Sequence, residues 1–469
     1  MNYKKLWIAM GAVLVFSFSI LGYYGREIYH QAPPIPNRVT TPDGTVLMTG
    51  EDIRTGQQVW QSLGGQELGS VWGHGAYVAP DWSADWLHRE AVWLLDRWAQ
   101  AERGKPYAEC DAEEQAVLRT RLTQLLRANT YDAATGNLTV SPDRAEAIAA
   151  VGKHYAGLFG NDPALAELRN AYAIPADSLK DAERQGPLNA FFFWTSWACV
   201  TDRPGKNISY TNNWPPEDLV GNRPTGQIVV WSVLSFVFLL AGIGALTWAN
   251  AVLRRRGEEP MAPPANDPLL ALNPTPSMKA TLKYFWVVGA LIVAQVGLGA
   301  LTAHFAVEGT GFYGIPLAQW LPYAVTRTWH VQLGIFWIAT AWLATGLFVA
   351  PAVSGHEPKF QRAGVNFLFV CLLIIVAGSL AGQWFGVRQK MGLTTNFWFG
   401  HQGYEYVDLG RFWQIFLFVG LVLWLLLMIR AMAPAFRKPQ ENRNLLALFV
   451  IASAAIALFY GAGLMWGHG

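Results

Sequence analysis

The stretch "TRTWHVQLGIFWIATAWLATGLFVAP", residues 326–351, is an apolar run with an imidazole, His330, at its mouth. A hydrocarbon core is crossed by about 20 predominantly apolar residues in a helix, so the run reads as a membrane span, at 329–353. Six more follow the same rule, at residues 6–24, 228–253, 282–303, 364–385, 412–432 and 445–466. The composition agrees. Apolar residues make up 52% of the 469 residues and charged ones 14%, with 22 tryptophans of the kind that collect at membrane interfaces. A net charge of +2 gives no argument for nucleic acid.

Basic residues orient the spans. Lys4, Lys5, Arg254–Arg256, Lys279, Lys283, Lys359, Arg362, Arg430, Arg437, Lys438 and Arg443 share one side if the spans alternate, whereas the opposite short loops carry only Arg327, Arg388, Lys390 and Arg411. Positive charge marks the cytoplasm. The expected organisation is therefore an uncleaved anchor over residues 1–24, an outer domain over 25–227, a linking span over 228–253, a cytoplasmic linker over 254–281 and a helical bundle over 282–469. The outer domain has helical apolar spacing in "SADWLHREAVWLLDRWAQAE" (83–102) and "EEQAVLRTRLTQLLRAN" (113–129), and a helix start at Ser141-Pro142-Asp143. The linker "RRRGEEPMAPPANDPLLALNPTPS" is Pro-rich and expected to lack structure. The fold class is an all-α polytopic membrane protein. Its three cysteines, Cys110, Cys199 and Cys371, form no CxxC or CxxCH pair, which argues against covalent haem.

Four groups of residues carry possible chemistry. His330 is a functional candidate by its depth. A haem iron is a natural partner for a neutral imidazole in apolar surroundings, with Arg327 then facing a haem propionate. An interfacial histidine capped by water, with Arg327 as an anchor, is the alternative. His304 and Glu308, four apart at the outer end of the third span, share a helix face. A carboxylate beside an imidazole suits proton acceptance from a quinol; a solvated helix end is the alternative. "NFWFGHQGYEYVDLGRFWQ" offers His401, Glu405 and Asp408, and "SVWGHGAYVAPDWSADWLHRE" offers His74, Gly75, Tyr77 and Asp81. Glu405 with loop carbonyls would suit a hard cation such as calcium, against the alternative of a packed aromatic loop.

The combination of "GHGAYVAPDWSADWLHRE", "FFFWTSWA", "SYTNNWP", "LTAHFAVEGTGFYG", "TRTWHVQ" and "FWFGHQGYEYVDLGRFWQ" resembles the quinol-dependent nitric oxide reductases, single-chain relatives of the haem–copper oxidases, along essentially the whole chain. The resemblance implies a periplasmic cytochrome-c-like domain without haem c, fused to an oxidase-like bundle in a bacterial inner membrane. By position, His330 would be an axial ligand of low-spin haem b, and His304 and Glu308 would bind membrane quinol. Glu405, Tyr77 and the Gly75 carbonyl would hold a calcium ion bridging haem propionates. Electrons from quinol would reduce nitric oxide to nitrous oxide.

Only His330 among nine histidines is expected within a span, so the second axial ligand and the ligands of the high-spin haem and non-haem iron are expected to be missing. The chain then matches the N-terminal part of such an enzyme, inactive alone and completed by a C-terminal half or associated as a homodimer. Alternatives are an oxygen-reducing haem–copper quinol oxidase and a non-catalytic membrane module pairing with a separate half.

Overall fold

The computed structural model describes residues 3–75, 78–255, 265–267, 270–404, 406–437 and 443–466. Seven of its helices are long and apolar enough to cross a membrane, as expected. They are α1 (Tyr3–His30), α8 (Gly226–Arg255), α10 (Leu282–Glu308), α11 (Tyr323–Ser354), α12 (Gln361–Val387), α14 (Arg411–Arg437) and α15 (Arg443–Trp466). Between α1 and α8 lies the inserted domain, with α2 (Gly50–Ser62), α3 (Trp82–Arg103), α4 (Ala112–Arg127), α5 (Pro142–Phe159), α6 (Ala166–Ala171) and α7 (Ala182–Val200). Two short helices, α9 (Pro276–Ala280) and α13 (Leu393–Phe399), sit at the bundle's ends. Of the linker expected to lack structure, residues 256–264 and 268–269 lie outside the described residues, and its last part enters α9, capped by the Thr275 hydroxyl accepting from Met278 N–H.

Local chemistry sets the domain helices. The Asp81 carboxylate accepts from Ala84 N–H at the start of α3, and Gly104 (φ 66°) ends it in the left-handed region that favours glycine. Ser141 caps α5, with Pro142 in its first turn. The domain also carries a small sheet that periodicity did not reveal, in the order β2-β1-β4-β3. Its strands are β1 (Arg38–Thr40), β2 (Val46–Thr49), β3 (Tyr131–Asp132) and β4 (Asn137–Thr139), too short for alternation to show. β1 runs antiparallel to β2 and parallel to β4, and β3 and β4 form an antiparallel hairpin. Aromatic rings fill the centre of the domain: Trp86 stacks on Tyr155 at 5.4 Å, and Trp82 on Phe192 at 5.4 Å.

The membrane helices divide by what they bury. α11 is the most enclosed, packed against both α10 and α14, whereas α1 and α8 turn apolar surface outward along their length. Glycines permit the close approaches. A Cβ on Gly299 would lie 2.7 Å from the His330 ring, and one on Gly334 would lie 2.6 Å from Gln295 Nε2. The domain is docked rather than tethered. Its core continues through Phe305, Ala318, Tyr323, Ala324, Val325 and Val387 into the ends of α10, α11 and α12.

Candidate functional site

His330 sits on the third turn of α11, with its ring laid on the bare backbone of Gly299 in α10. Its Nδ1 is 2.8 Å from the Gln295 carbonyl oxygen. A carbonyl can only accept, so Nδ1 carries the proton and Nε2 keeps its lone pair. Nε2 has no hydrogen-bond partner among the described residues. Nothing in the spacing of residues pointed to Gln295; only the packing of α10 on α11 supplies the carbonyl that selects the tautomer. Gln295 is itself held, its Oε1 accepting from Trp337 Nε1 at 2.6 Å.

Arg327, one turn earlier, faces the domain. Its Nε donates to Glu67 Oε2 at 2.5 Å, and Glu67 is fully buried. Burial pushes the Glu67 carboxyl up to about 7, while the Arg327 charge pulls the other way. Behind this pair, His401 Nε2 lies 2.6 Å from Asp408 Oδ2 and 2.8 Å from Thr328 Oγ1, all three residues being buried. His401 Nδ1 accepts from Gly403 N–H at 3.0 Å, so the proton sits on Nε2, whose hydrogen-bond partner is Thr328 Oγ1. Asp408 Oδ1 accepts from Gln402 N–H and Gly403 N–H at 2.7 and 2.8 Å. The domain loop closes on this turn backbone to backbone: Gln66 N–H donates to Gly403 O, and a Cβ on Gly65 would lie 2.2 Å from Gly403 Cα. Glu67 escaped the sequence reading because its partner lies 260 positions away; the preceding Gly64-Gly65 pair was the one available signal.

Glu67 sets a pH dependence. Between its ordinary 4.5 and about 7 the folded protein holds a proton that the unfolded chain has released, so stability falls as pH rises through that window. The full effect is on the order of 3 kcal/mol at about 1.4 kcal/mol per pH unit. Glu67→Gln is expected to flatten this slope in denaturant unfolding followed from pH 4.5 to 7.5; an unchanged slope would place the titration elsewhere.

At the domain end of α10, His304 Nε2 lies 3.5 Å from Glu308 Oε2 and 3.1 Å from the Gly311 carbonyl. Both neighbours are acceptors, so Nε2 is protonated and Nδ1 is a free base. The Phe312 ring meets the His304 ring edge-on at 4.5 Å, with Tyr313 at 5.3 Å. The expected shared helix face is therefore present, walled by the loop that follows it.

Of the residues expected to hold calcium, Glu405 and Tyr77 lie outside the described residues. Gly75 (φ 85°) stands in a braced loop: its N–H donates to Ser70 Oγ, and Asp81 Oδ2 accepts from Gly73 N–H and Ser70 Oγ at 2.6 and 2.7 Å. Trp214 of "SYTNNWP" closes this loop, its Nε1 donating to Gly73 O at 3.2 Å. Two of the sequence's distinctive stretches thus pack together. Among the described residues no group of three or more His, Cys, Asp or Glu gathers to hold a metal.

Residues 36–216 match the family model for the cytochrome c-like domain of the NorB nitric oxide reductase, and residues 279–468 match the one for cytochrome C and quinol oxidase polypeptide I. The chain belongs to the haem–copper oxidase family, of the NorB type. It is accordingly a multi-pass membrane protein of an oxidoreductase family that works with haem. No curated protein matches the chain. The residues present fit one axial position of a haem, because the His330 Nε2 lone pair is unprotonated, unpartnered among the described residues and held in place through Nδ1, as for a metal-ligating imidazole. The NorB-type inserted domain and the oxidase-like bundle meet at the Glu67–Arg327 pair and at the Gln66–Gly403 backbone bond.

Proposed function

We propose that this chain carries the electron-entry part of a quinol-dependent nitric oxide reductase. One observation carries the reading. The His304–Glu308 pair and the seat of His330 at Gly299 lie on the same helix, five residues apart, an axial rise of about 7.5 Å. A proton acceptor for a quinol and a ligand for a redox centre are thus held by one rigid element.

Quinol oxidation releases two protons and two electrons. In this reading His304 Nδ1 and the Glu308 carboxylate take the protons of the quinol hydroxyls, and the Phe312 and Tyr313 rings flank the quinol ring. His330 Nε2 would hold low-spin haem b, which when bound would supply one-electron redox chemistry beside the quinol site. Arg327 stands one turn toward the domain, where a haem propionate would reach, and it already balances Glu67. Glu405, Tyr77 and the Gly75 carbonyl would hold a calcium ion. The overall reaction consumes two nitric oxide, two electrons and two protons and yields nitrous oxide and water. The remaining iron ligands of that reaction are proposed to come from a partner half. The positive-inside bias supports a periplasmic domain in a bacterial inner membrane.

In native membranes bearing the protein, quinol oxidation driven by nitric oxide is expected. Glu308→Gln and His304→Ala should each lower it about 100-fold, the usual worth of a positioned proton acceptor. Quinol oxidation driven by oxygen and indifferent to nitric oxide would replace this reading with that of an oxygen-reducing oxidase.

A further inference from the structure

We propose that Asn170 of the inserted domain is a positioning residue for the quinol site; this rests on the quinol reading of His304 and Glu308. Asn170 belongs to α6, remote in sequence from α10, yet its Oδ1 accepts from both Thr310 N–H, at 2.8 Å, and Thr310 Oγ1, at 2.7 Å. Gly309, which ends α10 at φ 66°, lies directly under the same amide. A Cβ there would stand 2.5 Å from Asn170 Oδ1. The chain therefore leaves α10 through a left-handed glycine and is caught at the next residue by a single oxygen of the domain.

What that oxygen holds is the wall of the site. Immediately beyond Thr310, the Gly311 carbonyl meets His304 Nε2 at 3.1 Å, and Phe312 and Tyr313 pack on the same ring. The Gly311 carbonyl keeps the His304 proton on Nε2 and so leaves Nδ1 as the base. Moving residues 310–313 would both open the aromatic wall and release the tautomer. Asn170 can bear this role because its neighbour is anchored: Arg169 is buried and its Nη1 donates to the Gly157 and Asp162 carbonyls at 3.2 and 2.8 Å. Among the described residues, the hydrogen bonds that tie the domain to the loop following α10 run through Asn170. A domain related to a cytochrome, with no CxxCH of its own, thereby acts on the electron-donor site by shape.

Only the oxygen of the Asn170 amide is used, which makes the test specific. Asn170→Asp keeps an acceptor there; Asn170→Leu keeps the shape and removes it. With purified full-length protein in detergent and decylubiquinol as the probe, Asn170→Leu is expected to raise Kd about tenfold, two modest hydrogen bonds being lost. Asn170→Asp should stay within about twofold of the parent. In membranes, the Leu variant should raise the quinol KM and, by releasing the His304 tautomer, lower kcat as well, and the Asp variant should restore both. Thr310→Val, which deletes one donor from the loop side, should reproduce part of the loss and serves where the Leu variant fails to fold. An Asp variant as weak as Leu, or Leu and Val variants that bind like the parent, would overturn the role of Asn170. If His304→Ala also binds like the parent, the quinol reading fails with it; if His304→Ala alone loses binding, that reading stands without Asn170.

Discussion

Replacing His330 with glycine should remove imidazole-ligated haem from this protein, with occupancy falling at least about tenfold in the Soret and α-band absorbance of purified material. Three features make the effect large. Nε2 is the unprotonated nitrogen, Nδ1 is pinned by the Gln295 carbonyl, and the imidazole that α10 itself carries, His304, is already engaged by Glu308 and the Gly311 carbonyl. Added imidazole should restore the bands in the glycine variant, because the space and the carbonyl both remain. Gly299→Ala tests the same geometry without touching the ligand. Its Cβ would lie 2.7 Å from the ring, so the ring must tilt, and supporting groups of this kind are worth about 10- to 100-fold in affinity. Spectra unaltered in both variants would mean that haem, where bound, takes its ligand elsewhere.

The second large effect is expected at Gly65. Any side chain there meets Gly403 backbone at 2.2–2.8 Å, and the residue's own φ of 49° disfavours a Cβ. Backbone cannot rotate away as a side-chain tip can. Gly65→Val should therefore separate the domain loop from the 401–408 turn, at a cost of about 3 kcal/mol or more from overpacking and strain together. Separation would also strand Glu67 from Arg327, each then exchanging a buried partner for water. Limited proteolysis should show it, as new cleavage between residues 63 and 72 and in the 401–408 turn under conditions where the parent is resistant. Equal resistance would show that the apolar seam through Phe305, Tyr323 and Val387 holds the domain by itself.

Much of the candidate site was legible before any packing was known. His330 stood out because an imidazole in an apolar run is costly without a task. His304 and Glu308 were paired by helix geometry alone, and they do meet at 3.5 Å. Ser141 caps α5 as its neighbours suggested, because a cap depends on residues within one turn. The roles of Glu67, Gln295, Thr328 and Asn170 were not legible. Each acts through a backbone or side-chain partner contributed by another element, and no local period encodes such a pairing. Arg327 illustrates the boundary: its position beside His330 suggested a propionate, while its Nε is held by a carboxylate of the inserted domain.

Seven apolar helices, an inserted domain between the first two, the likeness to nitric oxide reductases and the choice of imidazoles that merit attention could all be read from linear order. They follow from composition and from interactions between near neighbours, which the chain writes in succession. Packing settled the rest: which nitrogen of His330 and of His304 carries the proton, what Arg327 faces and how the domain grips the bundle. Those outcomes depend on which polar atoms are buried together, and burial is a property of the packed chain, where a carbonyl or carboxylate from a distant segment must satisfy each donor.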